Sequence, residues 1–409
     1  MTKVRIAEPV REQGVLEWAL PEDTLPHDHR ARLFWRVVET LDLTAFTRSA
    51  KAVEGRAGRR LLSTRMLLTL WLYGISVGIG SARELARRIQ TDTAFRWIVG
   101  DQSVGHSKLS EFRASHREAL DQLFTDVLGT LVHRELISLD LVAQDGTRVR
   151  ASASSTSFRR ASSLQQCREQ AKLHVKAVLA EADDPEASAR EKRSRIAAAR
   201  DYEDRVDAAI ETVRELLVAG KPMPRASTTD ADARFMKMGD GGFRPAYNVQ
   251  LATAGSPMGG ARTIVGVRVT NAGTDMGSVT PMLDDIERRT GSLPSVLLAD
   301  GNHAQLECIT NATQRGVLPV IAMQERSKNK GAKKGDTDEV VAWRERMQCD
   351  EGKELYRARP GLCELPNAHL KSRLGLGRLL VRGLEKVTCV TLLAVLSANI
   401  LAHASALIG

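Results

Sequence analysis

The sequence is poor in cysteine, and its cysteines form no pattern that builds a site. Five cysteines, an odd number, are scattered between Cys167 and Cys389 of a 409-residue chain, and no two form a C-x2-C pair. This usage argues against a disulfide framework and a cysteine zinc site, and it is typical of proteins in a reducing cytoplasm. The nine histidines also lack the spacing of metal ligands.

Long apolar runs are missing as well. Only Met66–Gly80 and Val387–Ala402 approach the ~20 apolar residues that a bilayer-spanning helix needs. The first run contains three glycines and the second contains four hydroxyl or amide side chains. The N-terminal stretch MTKVRIAEPVREQG has no apolar segment of the kind found in signal peptides. We therefore expect two buried helices, no membrane span and a cytoplasmic protein.

The overall composition excludes a disordered chain and leaves a basic globular protein. Hydrophobic residues make up 43% of the sequence and charged residues 27%, which is the balance of a folded, soluble domain. The 59 Lys and Arg exceed the 50 Asp and Glu, which leaves a net charge of +9. Such an excess favours a polyanionic partner such as nucleic acid, although charge alone is equally compatible with a protein that binds no polyanion.

Residues 1–138 are predicted to form a helical N-terminal domain. The sequence Ser-Ala-Arg-Glu from Ser81 is a capping box that opens one helix, and a second helix starts near Ser107. The first helix carries Arg83, Arg87 and Arg88 away from its apolar side. Short helices with Gly-containing turns and exposed arginines are compatible with a helix-turn-helix reader of DNA, and equally with a plain helical bundle.

Residues 139–409 have the element order of an α/β domain with a mixed sheet. A strand at Leu139–Arg148 is followed by a helical hairpin, which we place at about 160–220 and break near Asp183-Asp184-Pro185. A basic loop is predicted at about 325–355, and the chain closes with helix. The later strands are predicted at Ala246–Thr253, Thr263–Thr270, Val296–Asp300 and Val317–Met323.

Two aspartates occupy positions where a carboxylate needs an explanation. Asp145 alternates with apolar or small side chains along the first strand, and burying such a charge costs several kcal/mol unless a partner compensates it. Asp300 ends the apolar strand VLLAD, and polar side chains at strand ends line ligand crevices in α/β sheets. Two neighbouring carboxylates would repel each other unless a cation such as Mg²⁺ lay between them. The alternative is that each Asp-Gly pair simply forms a turn.

A third acid precedes a basic stretch. Glu364 and Lys371 are seven residues apart, so on a helix they share one face. An acid at the head of a basic helical face suits a site where metal and phosphate meet, and the alternative is a solvated charged face. The predicted basic stripe on this C-terminal helix consists of Lys371, Arg373, Arg378, Arg382 and Lys386.

Taken together, these segments resemble the bacterial insertion-sequence transposases of the DDE class. Asp145-Gly146-Thr147 resembles their first acidic motif, VLLADGNH their second, and CELPNAHLKSRLGLGRLLVRGLEKV their third-acid helix. RMLLTLWLYGISVGIGSARELARRI is similar to part of their helical N-terminal domain. Tyr356, Arg359, Glu364 and Lys371 match the family's Tyr-x2-Arg-x3-Glu-x6-Lys signature with one extra residue before the glutamate.

The resemblance implies a fold, a site and an activity. It implies an RNase H-like mixed sheet flanked by helices, in which Asp145, Asp300 and Glu364 hold two Mg²⁺ ions, with Mn²⁺ able to substitute. The implied enzyme cuts double-stranded DNA at terminal inverted repeats and joins the 3′-hydroxyl to target DNA, acting as a homodimer on the bacterial nucleoid. The alternatives are a non-catalytic DNA-binding regulator and a nuclease of the same fold that cuts without joining. The expected DNA contacts are Tyr356, Arg359, Lys371, Arg373, Arg378, Lys328 and Lys330.

Overall fold

The N-terminal region is helical, as its pattern predicts. A computed structural model describes residues 20–48, 61–181, 188–256, 259–324 and 331–408, and in it α2 buries every residue from Met66 to Ser76. The predicted buried helix in this run is thereby confirmed, and it ends four residues before Gly80. The helices of this region are α1 (Arg30–Thr40), α2 (Thr64–Ser76), α3 (Ala82–Thr91), α4 (Thr93–Val99), α5 (His106–Ser115) and α6 (Arg117–His133), with short 3-10 turns at Pro21–Thr24 and Thr44–Phe46.

The capping signal at Ser81 places the start of α3 correctly. The Ser81 hydroxyl accepts a hydrogen bond from the backbone N–H of Glu84 at 3.4 Å. The Glu84 carboxylate then accepts hydrogen bonds from Arg87 and Arg88 along the same helix, and both arginine side chains remain largely exposed. The helix predicted from about Ser107 is two helices, α5 and α6, which are separated at His116.

The α/β part contains a six-stranded mixed sheet. In it β1 pairs in antiparallel fashion with β5 and in parallel with β7, which in turn pairs in parallel with β8. The other edge of β5 pairs in antiparallel fashion with β6 and with the short β4. The strands are β1 (Leu141–Arg150), β2 (Phe158–Arg159), β3 (Ala226–Ser227), β4 (Arg234–Lys237), β5 (Phe243–Ser256), β6 (Gly259–Thr270), β7 (Val296–Ala299) and β8 (Leu318–Ile321).

Helices cover both faces of this sheet, and a helical hairpin extends from it. The hairpin consists of α7 and α8, which follow β1 and are tied down by the two-stranded β2–β3 ladder, so the predicted helical excursion is confirmed. On one face α13 packs against β1 and β5, while α9 packs against β5 and β6. The helices of this part are α7 (Ala161–Ala180), α8 (Ala189–Val218), α9 (Val279–Thr290), α10 (Leu306–Gln314), α11 (Asp338–Gln348), α12 (Asp350–Arg357), α13 (Arg359–Ser372) and α14 (Leu384–Ile408).

The C-terminal basic stripe does not lie on one helix, so that prediction is wrong. Helix α13 ends at Ser372 and α14 begins at Leu384, and the eleven residues between them are not helical. Gly375 and Gly383 adopt φ angles of +77° and +88°, which L side chains rarely adopt and which end a helix. The loop predicted at about 325–355 is also wrong in its second half, where α11 begins at Asp338 and α12 at Asp350.

Helix α14 is the shared core of the molecule. It is long and apolar enough to cross a membrane, with a mean hydropathy of 1.8, but 67% of that apolar window is buried inside the protein. It packs against β6 on one side and against α1, α2, α5 and α6 on the other. Its polar side chains meet backbone groups: Asn399 bonds both the N–H and the C=O of Ile264, and Ser397 donates to Leu72 O. The buried helix predicted at Val387–Ala402 is confirmed.

Candidate active site

Asp145 and Asp300 come together because β1 and β7 are parallel neighbours. The ladder between them pairs Ala143 with Leu298, and each aspartate follows two residues further along its own chain. β7 ends at Ala299, so Asp300 at its C-terminal end lies beside Asp145, which is inside the longer β1. The expectation that the two carboxylates are neighbours is thereby confirmed.

The guanidinium of Arg359 lies between the two carboxylates. Its Nη2 donates to Asp145 Oδ1 at 2.9 Å and lies 3.9 Å from Asp300 Oδ2. These two oxygens are therefore at most 6.8 Å apart, which is the sum of the two distances. A pair of carboxylates that shares one guanidinium still attracts further positive charge.

The two acids titrate in opposite directions. Burial raises the pKa of Asp145 above its usual value, and the positive charge of Arg359 opposes this only in part. Burial also raises the pKa of Asp300, but the hydrogen bond and charge of His303, together with Arg359, outweigh it and lower that pKa to about 2. Asp300 is therefore the carboxylate that stays ionised, whereas burial opposes the ionisation of Asp145 by removing its carboxylate from water.

Helix α13 holds Asp145 in place with two side chains. Arg359, Cys363 and Asn367 recur at intervals of four residues and therefore share one face of the helix. Asn367 Nδ2 donates to Asp145 Oδ2 at 2.8 Å, while Arg359 holds the other oxygen. Cys363 lies between them and is buried, which raises its thiol pKa to about 12. Asn367 was not singled out from the sequence, because nothing local to it signals a contact with residue 145.

Glu364, the predicted third acid, lies beside this face and not on it. It is exposed on α13, one position after Cys363, and no hydrogen bond or ion pair joins it to another described residue. Within the described ranges, no three Asp, Glu, His or Cys side chains are grouped closely enough to hold a metal ion. The structure thus brings two of the three predicted acids together and leaves the role of Glu364 a prediction.

A buried polar network supports Asp300 from behind the sheet. His303 is fully buried, and its two ring nitrogens lie 2.7 Å from Asp300 Oδ1 and 3.1 Å from Gln250 Oε1. Gln250 Nε2 donates to Asp275 Oδ1 at 2.5 Å, and Arg148 donates to both oxygens of Asp275. This chain of contacts fixes the position of the Asp300 carboxylate. The sequence gives no local signal for the contacts of Gln250, Asp275 and Arg148 with one another.

The network also explains why a glycine follows Asp145. A Cβ on Gly146 would lie 2.2 Å from Gln250 Nε2 and 2.3 Å from Asp275 Oδ1, so only glycine fits. Gly146 lies inside β1, which continues to Arg150, so the turn interpretation of Asp145 is wrong. For Asp300 it is correct, because that side chain accepts a hydrogen bond from Asn302 N–H and opens a 3-10 turn.

The predicted DNA-contacting residues are distributed around the acids. Burial lowers the pKa of Lys371, although the nearby Asp145 charge opposes this. Burial raises the pKa of Tyr356, whose hydroxyl is within electrostatic reach of Asp300 and Asp145. Arg373 and Arg378 are exposed on the segment after α13, and Arg378 pairs with the end of β1 through a bridge to Arg150. Lys328 and Lys330 fall outside the described ranges.

A large cleft in the described part of the chain lies away from these acids. It measures about 980 Å³ and is lined by residues of α6, α9 and β6. Its charged side chains largely satisfy one another, since Arg289 bonds both Asp121 and Asp285 and is itself almost fully buried. The cleft contains none of the predicted site residues, and its ion pairs join the helical region to the sheet.

Two comparisons with known families match different parts of the chain. The family described as "Transposase domain (DUF772)" matches residues 20–115. The family described as "Transposase DDE domain" matches residues 218–400, a range that includes Asp300 and Glu364 and begins after Asp145. The two matches, of 96 and 183 residues, together cover more than half of the chain. No curated protein and no solved structure matches it significantly.

Proposed function

The chain belongs to the insertion-sequence transposases of the DDE class, and from this premise we propose that it cuts DNA at element ends and joins the freed 3′-hydroxyl to target DNA. The observation that supports the proposal most directly is that Asp145 and Asp300 lie side by side at the C-terminal end of β7. Both contact Arg359, and their facing carboxylate oxygens are at most 6.8 Å apart. Enzymes of this class generally use divalent metal ions. The β6-β5-β1-β7-β8 order is compatible with the RNase H-like fold that we assign to the α/β part.

The chemistry of the donor set fits a hard divalent cation. Carboxylate oxygens are the ligands that Mg²⁺ prefers, and the Asp145–Asp300 pair already attracts a cation in the form of the Arg359 guanidinium. We assign Asp145 and Asp300 as metal ligands and Glu364 as the third, because Glu364 shares α13 with both residues that hold Asp145. Two bound Mg²⁺ or Mn²⁺ ions would supply charge stabilisation to the attacking and leaving oxygens of the phosphodiester.

The chain's own residues hold and orient the reacting groups. Asn367 fixes one oxygen of Asp145, and His303 with the Asn302 backbone fixes one oxygen of Asp300, so neither carboxylate is free to rotate. Lys371 is half-buried and within electrostatic reach of Asp145, and we assign it to contact the scissile phosphate. A site of this kind needs no covalent protein–DNA intermediate, because water and then the 3′-hydroxyl act as nucleophiles.

The remaining basic residues are assigned to DNA binding. Tyr356, Arg359, Arg373 and Arg378 surround the acids or lie on the exposed segment that follows them. Each phosphate that such residues neutralise should steepen the salt dependence of binding by about 0.9 in log–log slope for duplex DNA. We assign Lys328 and Lys330 to the same role from sequence alone, and the N-terminal helices with Arg83 to recognition of the element ends. The acting form is proposed to contain two copies of the chain in the bacterial cytoplasm.

Substitution of each acid tests the proposal. Asp145→Asn, Asp300→Asn and Glu364→Gln should each abolish Mg²⁺-dependent cleavage and strand transfer on paired element ends, while duplex binding is largely retained. The matched control is Glu351→Gln, which removes an exposed acid from the neighbouring helix α12 and should leave both reactions intact.

The outcomes separate the three candidate functions. Cleavage without joining by the unaltered protein would identify a nuclease, and binding without either reaction would identify a regulator. Retention of near-normal cleavage by one acid variant would remove that residue from the site. Glu364→Gln is the most informative of the three, because the structure leaves Glu364 apart from the other acids.

A further inference from the structure

Helix α8 is attached to the molecule along one side only. It packs mainly against α7 and β3, and its buried residues Ala199, Val206, Ala209 and Val213 lie on that side. The helix has 30 residues and is therefore about 45 Å long. Its opposite side is exposed along this whole length and has no partner within the described part of the chain.

The exposed side carries an ordered set of charges. At about 100° per residue, ten exposed positions fall within an arc of about 100°, on the side opposite the buried residues, and the last of them is the apolar Val218. Along the helix, the other nine are basic or small as far as Arg200 and acidic or small from Asp201 onward. We call these nine the α8 stripe, and its members are Arg190, Arg193, Ala197, Arg200, Asp201, Asp204, Ala208, Glu211 and Glu215.

The order of these charges is unfavourable for an isolated helix. A helix macrodipole favours acidic side chains near the N-terminus and basic ones near the C-terminus. The stripe has the reverse order, with Arg190 and Arg193 in the first turn and Glu215 in the last turn, which contains no basic residue. Only Glu191, through its capping box with Ser188, follows the favourable order. Helix stability therefore does not account for the pattern.

The pattern is self-complementary when one copy is reversed against another. A twofold axis between Tyr202 and Glu203 would bring position n opposite position 405 − n. Arg190 then faces Glu215, and Ala197 faces Ala208, where two small side chains let the helices approach closely. Two further pairs follow one residue out of register, since Arg193 comes beside Glu211 and Arg200 beside Asp204. Asp201 faces Asp204 in exact register, so one like-charged contact near the axis opposes the three favourable pairs.

We propose that the α8 stripe is a self-association surface on which two copies of this chain pair their α8 helices in antiparallel fashion. The interface is isologous, because the same surface serves both partners, as is usual for twofold dimers. Arg190, Arg193, Arg200, Asp204 and Glu215 form no ion pair with another described residue, so they are available to a partner. Two stripe acids are already bound within the chain, Asp201 to Arg205 at 3.1 Å and Glu211 to Arg214 at 2.6 Å.

Exposed ion pairs are individually weak and are screened by salt, so the association should be salt-dependent. Duplex DNA is the other occupant to consider, but the acidic half of the stripe would repel its phosphates. The proposal extends the two-copy form proposed above, and because it is measured without DNA, its failure would leave the proposed reaction untouched.

Charge reversal of each half provides the test. One full-length variant carries Arg190→Glu, Arg193→Glu and Arg200→Glu, and a second carries Asp204→Lys, Glu211→Lys and Glu215→Lys. Sedimentation velocity in low salt should show the unaltered protein as a dimer and each variant at least tenfold weaker in self-association. An equimolar mixture of the two variants should form dimers again, because the charges of one stripe are then all acidic and those of the other are basic except for Asp201.

A control off the stripe accompanies these variants. Lys176→Glu, Lys192→Glu and Arg195→Glu change the same number of basic charges on the same hairpin and should leave self-association unchanged. Circular dichroism would confirm that α8 remains folded in every variant. The proposal is overturned if the unaltered protein is monomeric, if both reversals leave the dimer intact, or if the mixture fails to recover it. Weaker duplex binding by the first variant, without a change in mass, would assign the basic half to DNA instead.

Discussion

Replacement of Arg359 by methionine should expose how strongly the acid pair depends on a cation. Methionine keeps the bulk of the side chain and removes its charge, so Asp145 loses the guanidinium that now bonds it at 2.9 Å. The two side chains are only 11% and 19% exposed, so solvent screens their attraction little. Breaking a buried ion pair by removal of one partner costs about 3–5 kcal/mol, and we expect about 3 kcal/mol here because Asn367 still bonds Asp145.

The pH dependence of this loss has a definite sign. Burial already raises the pKa of Asp145, and removal of the Arg359 charge should raise it further. A carboxyl group whose pKa is higher in the folded state favours folding at low pH and loses that contribution as the pH rises. The deficit of the variant should therefore be largest near neutral pH and should shrink as the pH is lowered toward the ordinary pKa of aspartate.

Urea denaturation followed by tryptophan fluorescence, at several pH values and with or without Mn²⁺, provides the measurement. Mn²⁺ should raise the stability of Arg359→Met more than that of the unaltered protein, because a metal ion can then neutralise the pair without displacing a guanidinium. The control is Arg357→Met, which removes an exposed arginine from the end of α12 that pairs only with Glu354. A loss below about 0.5 kcal/mol, or one that does not vary with pH, would refute the reasoning.

Three further substitutions test the surroundings of the site. Gly146→Ala should destabilise the protein by about 1–3 kcal/mol, because its Cβ would overlap the side chains of Gln250 and Asp275. The control Gly129→Ala, in an open part of α6, should stabilise the protein by up to about 1 kcal/mol. Denaturation midpoints that shift in the same direction in both variants would contradict the packing argument. Asn399→Leu leaves both backbone groups of Ile264 without their partner and should cost about 1–3 kcal/mol for each; a neutral effect would mean that water replaces the amide. Because the pKa of Asp300 is lowered to about 2 from 3.8, its contribution to stability is present above about pH 4 and lost as the pH falls toward 2. Asp300→Asn should therefore make the free energy of unfolding less dependent on pH in this acidic range. An unchanged pH dependence would assign the loss of stability in acid to another group.

The sequence predicts the acid pair because the signal for it is local. Asp145 interrupts an alternating strand and Asp300 ends an apolar one, and each feature can be recognised within ten residues. That the two strands are neighbours is predicted only through the acids themselves, since two carboxylates that hold one cation must lie close together. The pairing of β1 with β7 agrees with this expectation.

The partners of the acids could not be predicted in the same way. Asn367 lies 222 positions from Asp145, and Gln250 lies 53 from His303, so their contacts arise only when distant elements pack together. The wrong prediction of a single basic helix has a different cause. Gly375 and Gly377 indicate that a helix ends there, but the helical spacing of the basic residues favours a continuous helix. The domain boundary near residue 138 stays a prediction.

Helix α14 has a consequence for how the protein is made. It is synthesised hundreds of residues after α1, α2, α5 and α6, yet these helices pack against it. The N-terminal helices therefore leave the ribosome before the element that completes their core, and their apolar surface stays exposed until α14 has been synthesised. A chain interrupted before α14 would lose the helix that packs against both the N-terminal helices and β6. Such a fragment should therefore fold into neither a stable N-terminal region nor a complete α/β part.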